Sequence, residues 1–334
     1  MSVFLHPRFR PLYEQHPIVL VDVGARGGLK SNWVPARPHL RVIGFEPDPR
    51  EYQQLVEKTR SEGDRITFFN TALSNRRGPM TLYVAKDRGL TSVFEPDRQF
   101  IDAFPDADRF DTVEVTQIEA DTLDNVLAEG GVRDVDFVKA DTQGSELLVL
   151  EGGRHALSSS CVGVEVEVEF APIYKSQPLF ADVDAFLRSL GFALFDLRPC
   201  FWKRAAGRAL GGPQGQMIWA DALYLRTLPS MDAMLDALPP DVRRPKLLKA
   251  LSASVLYGYY DYALAMVQQA GSVFEPDERS DIERGLLQGD PADDALPTFP
   301  GRRQVAAAAH RLWKLSVERT DAWSISDAEL GNPR

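Results

Sequence analysis

Glycines and acidic residues in the first fifty positions have the spacing of a nucleoside-binding site. An apolar run at residues 18–21 opens into DVGARGG (22–28), and a second run at 41–45 ends at Glu46. Glycines after a buried strand allow a sharp turn and close approach of a ligand to the backbone. An acidic side chain at the tip of the next strand can accept both hydroxyls of a ribose. The predicted ligand contacts here are Gly24, Ala25, Gly28, Glu46 and Pro47.

The glycine spacing distinguishes among nucleoside cofactors. A dinucleotide fingerprint, G-x-G-x-x-G, fails because Arg26 and Leu29 occupy the positions of its second and third glycines. A phosphate-binding loop fails at Leu29 as well. Asp22, two residues before Gly24, suits the ammonium group of S-adenosylmethionine and would repel a pyrophosphate. The sequence therefore favours S-adenosylmethionine over NAD, and an ordinary strand–turn–helix with a capping Asp is the alternative without a ligand.

Further carboxylates follow two later apolar runs and are candidates for acid–base chemistry. Residues 135–140 are predicted to form a strand with Asp141 at its carboxyl end, where open α/β sheets bind ligands. Residues 161–170 are predicted to form the next strand, with Glu167 and Glu169 on one face. Methyl transfer from S-adenosylmethionine needs close alignment of the reactants, and an acceptor that carries a proton also needs a base. Asp141 is the first candidate for that base, and Glu167 and Glu169 come second.

The same carboxylates leave a metal-dependent mechanism open. Asp141 with Glu167 or Glu169 could hold Mg²⁺, which prefers carboxylates and water and would lower the pKa of an acceptor that carries a proton. Carboxylates at adjacent strand ends also occur as a solvated rim, so metal-free catalysis is preferred. Lys139 shares a strand face with Asp141 and could form an ion pair with it, although a snorkelling lysine explains its position equally well.

An ordered set of motifs resembles one family. VDVGARGG, FEPDP, NTALSN, KADTQGSE, and VEVEFAPIY followed by QPLF, resemble the FkbM-type methyltransferases over about residues 18–228. The resemblance implies S-adenosylmethionine as cofactor and a hydroxyl of a sugar, glycan or related natural product as acceptor. It also implies adenine contacts from the loop at Asn70, Ala72 and Leu73. Tyr174 and Trp202, predicted to lie on loops beside the site, are then candidate acceptor contacts, since sugars stack on such rings.

These residues need a parallel sheet to bring them together. The alternation of apolar runs and helical segments predicts an α/β fold with a Rossmann-like, doubly wound, mostly parallel sheet of the methyltransferase type. Residues 75–119 instead contain two alternating strands, 80–85 and 112–118, which are predicted to pack against the edge of the main sheet. Residues 198–215, rich in Gly and Arg, are predicted to form a loop that could act as a lid.

The pattern becomes wholly helical near residue 229. Apolar residues between positions 247 and 267 recur at helical spacing, and 305–317 is a further predicted helix. We therefore divide the chain into an S-adenosylmethionine-binding domain, 1–228, and a small helical C-terminal extension, 229–334. A structural cap is the preferred role of the extension, and a dimerisation or acceptor-binding module is the alternative.

Composition restricts the partners and the function classes. The net charge of −10 argues against nucleic acid or an anionic membrane as a partner, and the apolar stretch at 247–267 contains charged residues that argue against a membrane span. Cys161 and Cys200 lack metal-type spacing and are predicted to be reduced, which predicts a cytoplasmic location. A methyltransferase acting on a small-molecule or glycan acceptor is favoured over a non-catalytic binding protein of the same fold and over a nicotinamide-dependent oxidoreductase. A homodimer is left open.

Overall fold

The computed structural model describes residues 6–26, 28–210, 215–287, 299–317, 323–326 and 330. Gly27 in the predicted cofactor turn and 211–214 in the predicted lid lie outside these ranges. The strands are β1 (Ile18–Val23), β2 (Leu40–Phe45), β3 (Ile66–Phe69), β4 (Ala72–Leu73), β5 (Gly78–Ala85), β6 (Thr112–Asp121), β7 (Phe137–Ala140), β8 (Gly163–Glu169), β9 (Phe192–Trp202), β10 (Gln216–Arg226) and β11 (Ser324–Ser326). The α-helices are α1 (Arg10–Gln15), α2 (Pro49–Thr59), α3 (Arg98–Ile101), α4 (Leu123–Glu129), α5 (Glu146–Gly152), α6 (Arg154–Ser159), α7 (Phe180–Ser189), α8 (Leu228–Ala237), α9 (Pro240–Leu256), α10 (Tyr260–Ala270), α11 (Pro276–Leu287) and α12 (Arg302–Val317).

The main sheet has a topological switch point between β1 and β7. Its order is β11-β9-β10-β8-β7-β1-β2-β3. The strands β3, β2, β1, β7 and β8 are parallel to one another, whereas β10, β9 and β11 each run antiparallel to their neighbours. The chain runs outward from β1 to β2 and β3 and later returns to place β7 on the other side of β1. Ligands bind in the crevice beyond the carboxyl ends of strands at such a point. The predicted doubly wound, mostly parallel sheet is confirmed.

Both faces of the main sheet are covered, which explains the continuous apolar runs. Successive side chains of a strand point to opposite faces. In β1, Val19, Val21 and Val23 join the core under α4 to α7, whereas Ile18 and Leu20 join a second core on the other face. A strand buried on both faces needs apolar residues at every position, and β1 satisfies this requirement except at Asp22.

The helices after residue 228 share the second core with the start of the chain. Leu247, Leu251 and Met266 pack in one cluster with Phe9 and Trp33. The predicted boundary at 228/229 coincides with the start of α8, yet the two parts bury one another and do not form separate cores. Removing the helices would expose this apolar face to water. Whether the two parts act as distinct domains stays a prediction.

The helical pattern at 247–267 contains a break that the periodicity did not indicate. Helix α9 ends at Leu256 and α10 begins at Tyr260. Gly258 between them has a φ of +80°, a left-handed conformation in which glycine commonly ends a helix. The predicted helical spacing is therefore confirmed, but it is divided between two helices. Within the described residues, no helix has both the length and the apolar character needed to cross a membrane.

A second, three-stranded sheet forms from the segment after β3. Its order is β4-β6-β5, with β4 parallel and β5 antiparallel to β6. The strands predicted at 80–85 and 112–118 are confirmed. Strand β3 ends at Phe69 in the main sheet, and Ala72–Leu73, in the loop that the resemblance assigned to the adenine, pairs with β6.

Candidate active site

A cavity of about 660 Å³ lies at the switch point. The loops after β1, β2, β3 and β7 form one side, and the small sheet forms the other. Of the predicted cofactor contacts, the following line it: Gly24, Glu46, Pro47, Ala72, Leu73 and Asp141. The small sheet contributes Leu82, Val84, Glu114, Thr116 and Ile118. The chain segment between β4 and β6 thus covers the crevice that the sequence predicted beyond the carboxyl ends of the main-sheet strands.

The turn after β1 requires glycine at position 24. Gly24 has a φ of +73°, and a Cβ there would lie 1.9 Å from the carbonyl oxygen of Asp141. Its N–H donates to the carbonyl of Phe45 at 3.1 Å. The turn is therefore in contact with the ends of both neighbouring strands, and any side chain at this position would separate them.

Ala25 and Gly28 shape the turn and do not line the cavity. The N–H of Gly28 donates to the carbonyl of Ala25 at 3.1 Å, and Gly28 has a φ of +82°. Arg26, which lies between them, does line the cavity, where its guanidinium is 3.6 Å from Glu51. Sequence reasoning assigned Arg26 no role, because it was considered only as a departure from a glycine fingerprint.

Glu46 is held at the tip of β2 by its own loop. Its Oε1 accepts the N–H of Asp48 at 2.9 Å. Burial raises the pKa of Glu46 above its ordinary value, while the Asp48 N–H opposes the shift. The side chain of Asn70 donates to the carbonyls of Glu46 and Pro47, at 2.8 and 3.1 Å, and does not line the 660 Å³ cavity. Asn70 therefore supports the loop, and its neighbours Thr71, Ala72 and Leu73 form the wall.

Asp22 lies below the cavity and does not form part of its wall. Its carboxylate oxygen Oδ1 is 3.2 Å from the Lys139 ammonium, which also donates to the carbonyl of Gly24 at 3.1 Å. Burial works against the charge on Lys139, but Asp22 and Asp141 together raise its pKa. The predicted pair between Lys139 and Asp141 is present at 3.8 Å, although Asp22 is the nearer partner. Direct contact between Asp22 and a cofactor is not supported by this position, whereas Asp141 does line the cavity.

Gln143 joins the carboxylates that sequence reasoning treated separately. Its amide nitrogen donates to Asp141 at 3.2 Å and to Glu167 at 2.9 Å, and its amide oxygen accepts the Tyr174 hydroxyl at 3.2 Å. Gln143 has a φ of +59°, which is costly for a residue with a side chain. The Ser92 hydroxyl donates to its carbonyl at 2.6 Å and helps to hold it there. The motif KADTQGSE contains Gln143, but only the tertiary contacts show its role.

Glu146, the first residue of α5, closes the same loop. It accepts the backbone N–H of Thr142, the Thr142 hydroxyl at 3.1 Å and the N–H of Gly144 at 3.3 Å. Burial raises the pKa of Glu146 to about 7, and the charge of Asp141 adds to the shift. These contacts hold the loop between β7 and α5, in which Gly144 lies.

The acidic face predicted on β8 is confirmed, and its three members have different partners. Glu165 accepts the Tyr257 hydroxyl and pairs with Lys30. Glu167 accepts the Gln143 amide, whereas Glu169 Oε1 has no hydrogen-bond partner although the residue is only 2% exposed. Burial, with the nearby carboxylates, raises the pKa of both Glu167 and Glu169 well above the ordinary value. Neither residue lines the cavity, so Asp141 remains the better-placed catalytic candidate.

Tyr174 and Trp202 are both buried, and only Trp202 departs from the predicted loop placement. Trp202 is the last residue of β9 and 6% exposed, because β9 continues through residues 198–202 of the predicted lid. Tyr174 is 1% exposed, and its hydroxyl donates to Gln143 and to the carbonyl of Leu90. Both rings pack against Phe110. Neither ring offers a free face for a sugar, and Tyr174 instead positions Gln143.

The fold and the cavity define a methyltransferase of the Rossmann-like type. The chain belongs to the FkbM methyltransferase family, since residues 22–194 match the methyltransferase FkbM domain. This match confirms the family indicated by the motifs. It includes Glu46, Asp141 and the acidic face of β8, and it ends before the C-terminal helices.

Relatives and solved structures of several methyltransferases are similar to the chain. The 2-O-methyltransferase NoeI of Sinorhizobium fredii is 27% identical over 191 residues, 55% of this chain and 76% of that protein. The methyltransferase FkbM of Methylobacillus flagellatus KT is 17% identical, covering 63% of this chain and 43% of that chain, with a TM-score of 0.36. The N-terminal domain of EvdMO1, solved with SAH bound, is 10% identical, covering 66% of this chain and 79% of that chain, with a TM-score of 0.31.

Proposed function

We propose that this protein transfers the methyl group of S-adenosylmethionine to a hydroxyl of a sugar, glycan or related natural product. The observation that carries the proposal is the cavity at the switch point, which brings Glu46 and Asp141 into one wall. Membership of the FkbM family supports methyl transfer, and the similarity to a 2-O-methyltransferase supports a hydroxyl acceptor.

The residues of the cavity fit a cationic nucleoside cofactor. The wall contains five carboxylates and three guanidinium groups, an excess of negative charge that favours a sulfonium and an ammonium group over a pyrophosphate. Glu46 would accept the ribose hydroxyls, and Ala72 and Leu73 would pack on the adenine. When bound, the cofactor supplies an already activated methyl group. The chain therefore has to align the acceptor and receive its proton.

Asp141 is the residue that we assign to the acceptor hydroxyl. It stands at the end of β7 in the cavity wall, with its side chain 35% exposed, so it can reach a ligand. Lys139 at 3.8 Å and the Gln143 amide at 3.2 Å keep the carboxylate in position. A carboxylate within hydrogen-bond reach of a hydroxyl can take its proton as the methyl group is transferred.

Calorimetry with three ligands tests the cofactor assignment. We expect S-adenosylmethionine and S-adenosylhomocysteine to bind and NAD not to bind. Binding of NAD in preference to the other two would overturn the assignment. Transfer of an isotopically labelled methyl group to sugars and glycans, located by mass spectrometry, tests the reaction. Cofactor binding without transfer to any of these acceptors would favour the non-catalytic alternative.

A further inference from the structure

Three carboxylates from three separate elements meet beside the cavity. Asp141 follows β7, Glu146 begins α5 and Glu167 lies on β8, and one oxygen from each lies within 4.8 Å of the other two. Around a divalent cation with oxygen ligands at about 2.1 Å, neighbouring ligand atoms are about 3 Å apart and opposite ones about 4 Å apart. Small side-chain movements would therefore bring these oxygens to the ligand separations of a cation site.

Protein cations do not balance this cluster. In the described part of the chain, neither lysine, arginine nor histidine forms an ion pair with Glu146 or Glu167. Lys139 reaches Asp141 only at 3.8 Å and is closer to Asp22. Like charges this close repel strongly when they are removed from water. The cluster needs either bound protons or a positive ion.

Glu169 provides an independent indication that a positive ligand belongs here. It lies two residues after Glu167 on β8, so the two side chains leave the same face of the strand. Its Oε1 is buried and accepts no hydrogen bond. A buried acceptor without a donor is costly and is uncommon in folded proteins. A cation beside Glu167, or water bound to that cation, would supply the missing partner.

The position of Gln143 agrees with this indication. Its amide N–H₂ group stands between Asp141 and Glu167 and donates to both. Only the partial positive charge of an amide therefore occupies the point where the two carboxylates face one another. A divalent cation would carry two full charges to the same place. The donor atoms are all oxygens, which suits Mg²⁺, Mn²⁺ or Ca²⁺ and does not suit ions that prefer nitrogen or sulfur ligands.

We propose that Asp141, Glu146 and Glu167 bind one divalent cation of the Mg²⁺ type at the edge of the cavity. Asp141, Thr142 and Gln143 line the cavity, so the cation would border the space for the acceptor. A hydroxyl bound to such an ion loses its proton more readily. This catalytic role rests on the proposed function, whereas cation binding itself does not. Asp141 would then hold the ion instead of accepting the proton directly.

The test measures cation binding with the full chain and no cofactor. Protein stripped with a chelator and dialysed is titrated with MnCl₂ alone, and free Mn²⁺ is followed by electron paramagnetic resonance. We expect one saturable site per chain, with competition by Mg²⁺. Glu146→Gln and Glu167→Gln should each weaken Mn²⁺ binding about tenfold or more, because each removes one charged ligand. Glu146→Gln retains an oxygen that can accept the Thr142 contacts.

Glu151→Gln is the matched control. It lies on the same helix as Glu146, and its carboxylate accepts the Asn75 amide outside the cluster. This variant should bind Mn²⁺ within about twofold of wild type. Circular dichroism and affinity for S-adenosylhomocysteine show whether each variant is folded. Wild-type protein without saturable Mn²⁺ binding, or cluster variants that bind as tightly as wild type, would overturn the proposal. Mn²⁺ binding by a protein that does not bind S-adenosylhomocysteine would instead refute the proposed function and leave the cation site standing.

Discussion

The two ends of strand β7 carry acidic groups that are compensated very differently. At the amino end, Asp136 is fully buried and forms ion pairs with both Lys246 and Lys249 from α9. At the carboxyl end, Lys139 is the ion-pair partner of Asp141 among the described residues, and Asp141 shares it with Asp22. Buried charges paired within the chain hold helix α9 to the sheet. The carboxylates near the carboxyl end are paired less completely, so they need bound protons or a ligand, and they lie beside the cavity.

Replacing Asp141 should have the largest effect and should change turnover, not folding. Asp141→Asn keeps the shape and removes the charge. We expect turnover to fall roughly 10²–10⁴-fold, the usual contribution of a general base, with cofactor affinity within a small factor of wild type. Steady-state kinetics and calorimetry measure the two quantities. Glu114→Gln, which removes a charge from the same wall, is the control and should retain most of the turnover.

Asp141→Asn also separates the possible roles of this carboxylate. Recovery of turnover at higher pH would favour the base, whereas dependence of the wild type on added Mg²⁺ would favour the cation. A variant that methylates at the wild-type rate would exclude Asp141 as the catalytic carboxylate. Glu167 or Glu169 would then be the next residue to replace.

Breaking the ion pairs at the amino end of β7 should lower stability and leave the site intact. Lys246→Met removes one of the two lysines that face Asp136. Removing one partner of a buried ion pair typically costs roughly 3–5 kcal/mol, and we expect the lower end because Lys249 remains. Denaturant unfolding measures the loss. Lys175→Met breaks an exposed pair with Glu95 and should cost less than about 1 kcal/mol. Equal losses in the two variants would contradict the comparison.

Replacing Glu46 should weaken the cofactor without destabilising the fold. Two charge-assisted hydrogen bonds to a ribose are worth roughly 1.5–3 kcal/mol each, so Glu46→Ala should reduce cofactor affinity by about two to four orders of magnitude. Turnover at saturating cofactor should largely recover. Glu51→Ala, another carboxylate of the wall, is the control. An unchanged affinity in Glu46→Ala would remove Glu46 from the cofactor site.

The smallest expected effect is a pH dependence of the unfolding free energy that arises near the amino end of β7. Burial alone would raise the pKa of Asp134, but Lys246 and Lys249 lower it below the ordinary value of 3.8. A carboxyl whose pKa is lower in the folded state stabilises the protein above its unfolded pKa, and this contribution is lost as the pH falls through the folded pKa. Asp134→Asn should therefore flatten the loss of unfolding free energy below about pH 4. Parallel pH profiles for variant and wild type would contradict the assignment.

The sequence alone determined those features that depend on neighbouring residues. Continuous apolar runs predicted β1 and β2, because a strand buried on both faces has no polar position to spare. Gly24 and Glu46, predicted as contacts of one ligand, line the same cavity, since a turn and the next strand tip are fixed by short stretches of chain. The same reasoning gave the acidic face of β8, because side chains two residues apart share a face.

Only the tertiary structure decided which distant groups meet. Tyr257 reaches Glu165 across 92 positions and Lys246 reaches Asp136 across 110, separations that leave no periodic signal. Gln143 joins Asp141 to Glu167 only after β7 and β8 have paired. Trp202 belongs to a strand because β10 pairs with β9 as far as its last residue, although Pro199 and the basic residues after it resemble a loop. Local preference sets the elements, but long-range pairing determines which charges are satisfied and which remain for a ligand.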